Sequence, residues 1–94
     1  MTPADILSCT AGVYGLAPDA LRGRTRTRRV AEARGVAAFL AYELTGASYR
    51  ELGDEFGKRA PQSVSELIEG VASRLRLRDA RLGRMVARIE ASLD

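Results

Sequence analysis

The sequence predicts an all-α fold, a compact bundle of about five to six helices that contains a helix-turn-helix. Three observations predict it. Ala, Leu, Arg and Glu dominate the 94 residues, and all four are good helix formers. Apolar residues recur at helical spacing, and the alternation of a half-buried strand is missing. Ser48 to Ser73 reads as two helices joined by a short turn containing Gly57.

Thr2 and Pro3 suit the N-cap and first position of the opening helix, with Asp5 favourable in its first turn. Ile6, Leu7, Val13 and Tyr14 give it apolar surface, Gly12 weakens it, and Gly15 ends it. Ala17, Pro18 and Asp19 open a short helical turn that closes at Arg22 and Gly23, anchored by Leu16 and Leu21. Residues 22–29 follow as a basic loop, with five arginines in eight residues and only Gly and Thr between them. This segment has nothing to bury, and its crowded charge points to an anionic partner. Arg24, Arg26, Arg28 and Arg29 are its candidate contacts. Thr27 suits the cap of the next helix.

Val30 to Thr45 is the expected central helix. Ala33, Val36, Ala37, Leu40 and Leu44 form a stripe, widened by Phe39 and Ala41, so most of the helix is enclosed. Arg34 lies off the stripe, as a phosphate contact or the partner of a nearby acid. Gly46 ends the helix. Ser48 and Glu51 then form a capping box, and Tyr49, Leu52 and Phe56 share one face. Gly57 supplies the left-handed geometry that stops this helix. Pro61 opens the next, whose stripe is Val64, Leu67, Ile68, Val71 and Leu75, so the helix-turn-helix spans about 48–75. Asp79 caps a last amphipathic helix over about 79–93, carrying Leu82, Met85, Val86, Ile89 and Leu93. That stripe either completes the core or forms the seam of a homodimer. Arg81, Arg84 and Arg88 fall off it and should be solvated. All of this fits one domain over residues 1–94.

The composition narrows the function. No histidine is present, which removes the usual general base and the commonest metal ligand. Asp54 and Glu55, adjacent in sequence, point different ways on a helix. No cofactor, metal site or small-molecule substrate is indicated, and the chain is not expected to be an enzyme. Cys9, the single cysteine, sits among apolar neighbours as a small core residue. No apolar run approaches membrane-spanning length and no secretory leader is visible, so the chain reads as cytoplasmic. The net charge is only +3, yet fourteen of the fifteen basic residues are arginine. Codon usage in GC-rich genomes accounts for part of that excess. The rest fits planar contact with phosphate and guanine. A helical protein-interaction domain without DNA binding is the rival reading.

Several motifs together resemble one family. These are Arg24-Thr-Arg-Thr-Arg28, then Val30-Ala31, Arg34, Glu43-Leu-Thr45, Ser48 and Leu52-Gly-Asp-Glu-Phe-Gly-Lys-Arg59. In order and spacing they resemble the C-terminal DNA-binding domain of the bacterial replication initiator DnaA, within the Trp-repressor-like helical group. The resemblance implies a minor-groove arginine at Arg26 with Arg28 as companion. It also implies a phosphate contact at Arg34 and a base-reading arginine at Arg59. The family continues after that arginine with Asp-His-Thr/Ser-Thr-Val, whereas this chain has Ala60, Pro61, Gln62, Ser63 and Val64. Tyr42 stands where the family often has lysine. Recognition of the initiator's own box therefore does not carry over. The altered turn and the Leu-rich last helix also resemble the modules that end some REP-associated tyrosine transposases. No phosphate-binding G-x-x-x-x-G-K-[ST] loop occurs. The expected partner is double-stranded DNA. Arg59, Gln62 and Ser63 would read the major groove, Arg34 and Arg50 would hold phosphates, and the Arg loop would follow the backbone. Glu66 and Glu69 oppose this mildly.

Overall fold

The computed structural model describes residues 1–93 and contains six helices. They are α1 (Pro3–Tyr14), α2 (Pro18–Arg22), α3 (Arg28–Thr45), α4 (Tyr49–Glu55), α5 (Pro61–Arg76) and α6 (Ala80–Ser92). The ends follow local chemistry. Thr2 and Asp5 form a capping box at α1, and Ser48 and Glu51 form another at α4. The hydroxyl of Thr27 accepts from the Val30 N–H, and the Asp79 carboxylate accepts from the Leu82 N–H at 3.0 Å. Gly15 and Gly46 end α1 and α3 with left-handed backbone, each at φ 71°.

α3 is the axis of the bundle. It packs along α1 on one side and α5 on the other, and α6 closes the end beside α1. Ala33, Val36, Ala37, Ala38, Leu40 and Ala41 are all buried. The small residues let neighbouring helices come close. A Cβ on Gly35 would stand 3.0 Å from Val71 Cγ2. The α6 stripe is taken up inside the chain, with Leu82, Val86 and Ile89 buried and Met85 and Leu93 packed against the core. The stripe thus completes the core; nothing in this arrangement speaks for a homodimer seam.

Three expectations are corrected. α3 starts at Arg28 rather than Val30, because Thr27 caps it two residues earlier. Arg28 and Arg29 are therefore helical, and the loop proper is residues 23–27. Leu44 is 46% exposed, since the helix outlasts the neighbours that cover its middle. Arg81 is not simply solvated. Its guanidinium grips the buried Glu32 carboxylate at 2.5 and 3.1 Å.

Glu32 joins four helices. Its carboxylate accepts from Tyr14 Oη of α1 at 2.6 Å, from Arg81 of α6, and pairs with Arg74 of α5 at 3.1 Å. Arg74 also holds Asp79 at 2.7 Å. Burial would raise the Glu32 pKa, but the hydrogen bonds from Arg81, Tyr14 and Arg74 outweigh it and bring the carboxyl down to about 2. The Tyr14 hydroxyl is pushed well up, by burial first and then by donating to Glu32.

Candidate nucleic-acid interface

The turn between α4 and α5 is built on two glycines. The Arg59 N–H donates to the Gly53 carbonyl at 2.9 Å, and a Cβ on Gly53 would lie 2.1 Å from Arg59 O. No side chain fits there. Gly57 adopts φ 88° and Lys58 follows at φ 59°, both left-handed. A Cβ on Gly57 would lie 2.0 Å from the carbonyl oxygen of Arg22. The turn therefore presses directly on the start of the basic loop.

Side chains fasten the same junction. Arg22 donates through Nε to the Glu55 carbonyl at 3.2 Å and through Nη2 to its carboxylate at 2.8 Å. Arg24 Nη2 donates to the Gly57 carbonyl at 3.3 Å, and Arg59 Nη2 donates back to the Gly23 carbonyl. The loop and the entry to α5 thus lie side by side. At that entry Ala60 offers no side-chain cap, and Pro61, Gln62 and Ser63 are exposed. The first-turn N–H groups of α5 and its positive dipole end face outward.

The candidate residues fall into two groups. Arg24, Arg26, Arg28 and Arg50 are exposed, and Arg26, Arg28 and Arg50 make no hydrogen bond or ion pair among the described residues. Arg29 and Arg34 are engaged in holding the main chain, which differs from the expected free contacts. The Arg29 guanidinium donates twice to the Tyr14 carbonyl and lies 5.6 Å from the Tyr14 ring centre. Arg34 is 5% exposed and donates to the carbonyls of Leu21 at 2.9 Å and Ala20 at 3.2 Å. No acid pairs with it among the described residues, so it holds the carbonyl end of α2 in place of an ion pair. Arg59 lies between the groups. It is half-buried, and its Nε is enclosed without a partner.

The arginines are sorted by charge environment. Arg22, Arg74, Arg76 and Arg81 each have a carboxylate partner. Arg24, Arg26, Arg28, Arg29, Arg34 and Arg59, around the loop and turn, have none among the described residues. Burial pushes the Arg59 guanidinium down, and Arg34, Arg24 and Arg26 add repulsion. Arg34 is lowered by burial and then by Arg24. The outcome is a concentration of positive charge that the chain itself does not neutralise. Sequence reasoning missed the roles of Arg22, Gly53 and Glu32. Their partners are 33, 6 and 49 residues away in sequence.

No helix among the described residues is long and apolar enough to cross a membrane. Comparison with known proteins gives the family. The family described as bacterial dnaA protein helix-turn-helix matches residues 3–71. The chromosomal replication initiator protein DnaA of Clavibacter sepedonicus is 41% identical over 64 residues, covering 68% of this chain and 13% of the relative. The same protein from Sphingopyxis alaskensis is 35% identical over 94 residues, covering 100% of this chain and 20% of the relative. That of Corynebacterium aurimucosum is 42% identical over 64 residues, 12% of its length. The chain thus spans a fifth or less of each of these initiators. With the match extending from the first helix through most of α5, the chain belongs to the bacterial DnaA helix-turn-helix family.

Proposed function

We propose that the chain binds double-stranded DNA with sequence preference, through the tip of α5 in the major groove and the Arg loop on the adjoining backbone and minor groove. The observation that carries this reading is the junction of loop and turn: two contact surfaces held together, in part by the Arg22–Glu55 pair, with Arg24, Arg26, Arg28 and Arg59 left without a carboxylate partner among the described residues. One duplex can touch both. Arg24, Arg26 and Arg28 follow the backbone, one of them entering the minor groove, where a narrow A·T-rich stretch strengthens the attraction. Arg50 at the start of α4 holds a phosphate and fixes register. Arg59 reads guanine O6 and N7, exchanging the Gly23 carbonyl for them. Gln62 pairs with adenine, and Ser63 reaches a base or a phosphate. Arg29 and Arg34 support the site through the main chain they hold. The relatives are replication initiators, which makes replication initiation the proposed process, with a target that differs from theirs because Ala60, Pro61 and Gln62 replace the usual readers.

Fluorescence anisotropy with duplexes selected from a random pool tests the proposal. Four to six phosphate contacts give a log–log salt slope on the order of −4 to −5. Arg59→Ala costs about 1–3 kcal/mol and relaxes sequence preference, whereas Arg24→Ala weakens all sequences alike and lowers the slope by about one. A flat salt titration, or no binding at low salt, refutes the reading and favours a protein-interaction domain.

A further inference from the structure

We infer that Glu66 is a specificity-determining residue of α5, a carboxylate that accepts a hydrogen bond from the exocyclic amine of cytosine in the major groove. The inference rests on the duplex-binding reading above. Glu66 stands one turn behind Gln62 on the exposed side of α5. It shares the lining of one shallow depression with Arg26 and Arg28, so it borders the surface offered to phosphates. An acid there works against binding a polyanion. The rest of the acidic surface of α5 is neutralised, since Glu69 takes Arg76 at 2.7 Å. Glu66 has no ion-pair partner among the described residues, and its carboxylate receives only the Gln62 amide, at 3.4 Å.

The bases that suit such a group are few. A carboxylate accepts and cannot donate. Guanine and thymine present acceptors in the major groove and repel it. Adenine offers an amine beside an acceptor, and cytosine offers an amine alone. Cytosine is therefore the fitting partner, and the repulsion of the others supplies discrimination as well as the attraction does. The contact with Gln62 adds a second effect. Because the carboxylate only accepts, the amide nitrogen of Gln62 must face it. The amide oxygen and the second N–H then point outward, as the donor–acceptor pair that adenine N7 and N6 require. One side chain thus reads a base and orients its neighbour.

The test compares the full chain with Glu66→Ala, using random-pool selection and then anisotropy at fixed salt. The duplexes carry each base at the selected cytosine, or a cytosine analogue without the exocyclic amine. The wild-type chain is expected to prefer cytosine on the order of tenfold and to lose that preference with the analogue. Glu66→Ala is expected to lose it with every base while binding non-cognate duplexes more tightly. If Glu66→Ala tightens all duplexes equally and leaves every preference unchanged, Glu66 is only a surface acid and the inference fails. If the wild-type chain binds duplexes with no cytosine preference, the inference fails while duplex binding stands. If the wild-type chain binds no duplex, both fail.

Discussion

Replacing Glu32 by glutamine removes the charge on which α1, α3, α5 and α6 converge while keeping an acceptor for Tyr14. The folded carboxyl sits at about 2 against an ordinary 4.5, which corresponds to a ceiling of roughly 3 kcal/mol at neutral pH. Solvent screens part of it, because the Arg81 and Arg74 side chains are 57% and 40% exposed. About 1–2 kcal/mol should survive. The sign follows from the depressed pKa. The stabilisation is fully present above about pH 4.5 and is lost as pH falls towards 2. Asp5, Glu51 and Asp79 are also shifted down by their cap hydrogen bonds, so acid weakens the fold through several groups. Comparing the two proteins isolates Glu32. Urea unfolding of wild type and Glu32→Gln at a series of pH values should show a gap of about 1–2 kcal/mol at pH 7 that closes as pH approaches 2. A gap that is absent at pH 7, or that stays constant through the acid range, would refute the electrostatic account of this junction.

Gly57→Ala sets a Cβ against the Arg22 carbonyl at a φ of 88°, so backbone must move. A cost on the order of 2–4 kcal/mol is expected in thermal or urea melts, together with weaker duplex binding. Gly70→Ala is expected to do the reverse. Its Cβ would meet nothing within 4 Å, and removing a glycine from a helix interior should add about 0.5–1 kcal/mol of stability in the same melts.

The parts of the fold that were legible in sequence are those governed by near neighbours. The Thr2 cap, the Ser48–Glu51 box, the Asp79 cap and the glycine stops each involve residues a few positions apart, and each forms as read; the return bond from Asp5 that makes a box of the first is added by the structure. The start of α3 was misread because consecutive arginines carry no apolar period; only the Thr27 hydroxyl marks it. Arg34 and Arg81 look alike in sequence, polar residues off an apolar stripe. The first is buried against the end of α2 and the second is clamped to Glu32, and only the tertiary arrangement tells them from a solvated arginine. The proximity of loop and turn is what the expectation of a single duplex touching both requires, whereas the means of holding it, a carbonyl against a glycine, leaves no pattern in the chain.

The Gly57–Arg22 contact, with the Arg59 and Arg24 bonds across it, bears on any attempt to borrow this reader. A graft of residues 48–76 alone would carry the two helices to a new host and abandon the Gly23 carbonyl that steadies the Arg59 guanidinium. Its guanidinium would then wander, and the host would inherit a weaker and less discriminating probe. The smallest transferable piece therefore begins upstream, at α2, and brings α3 with it.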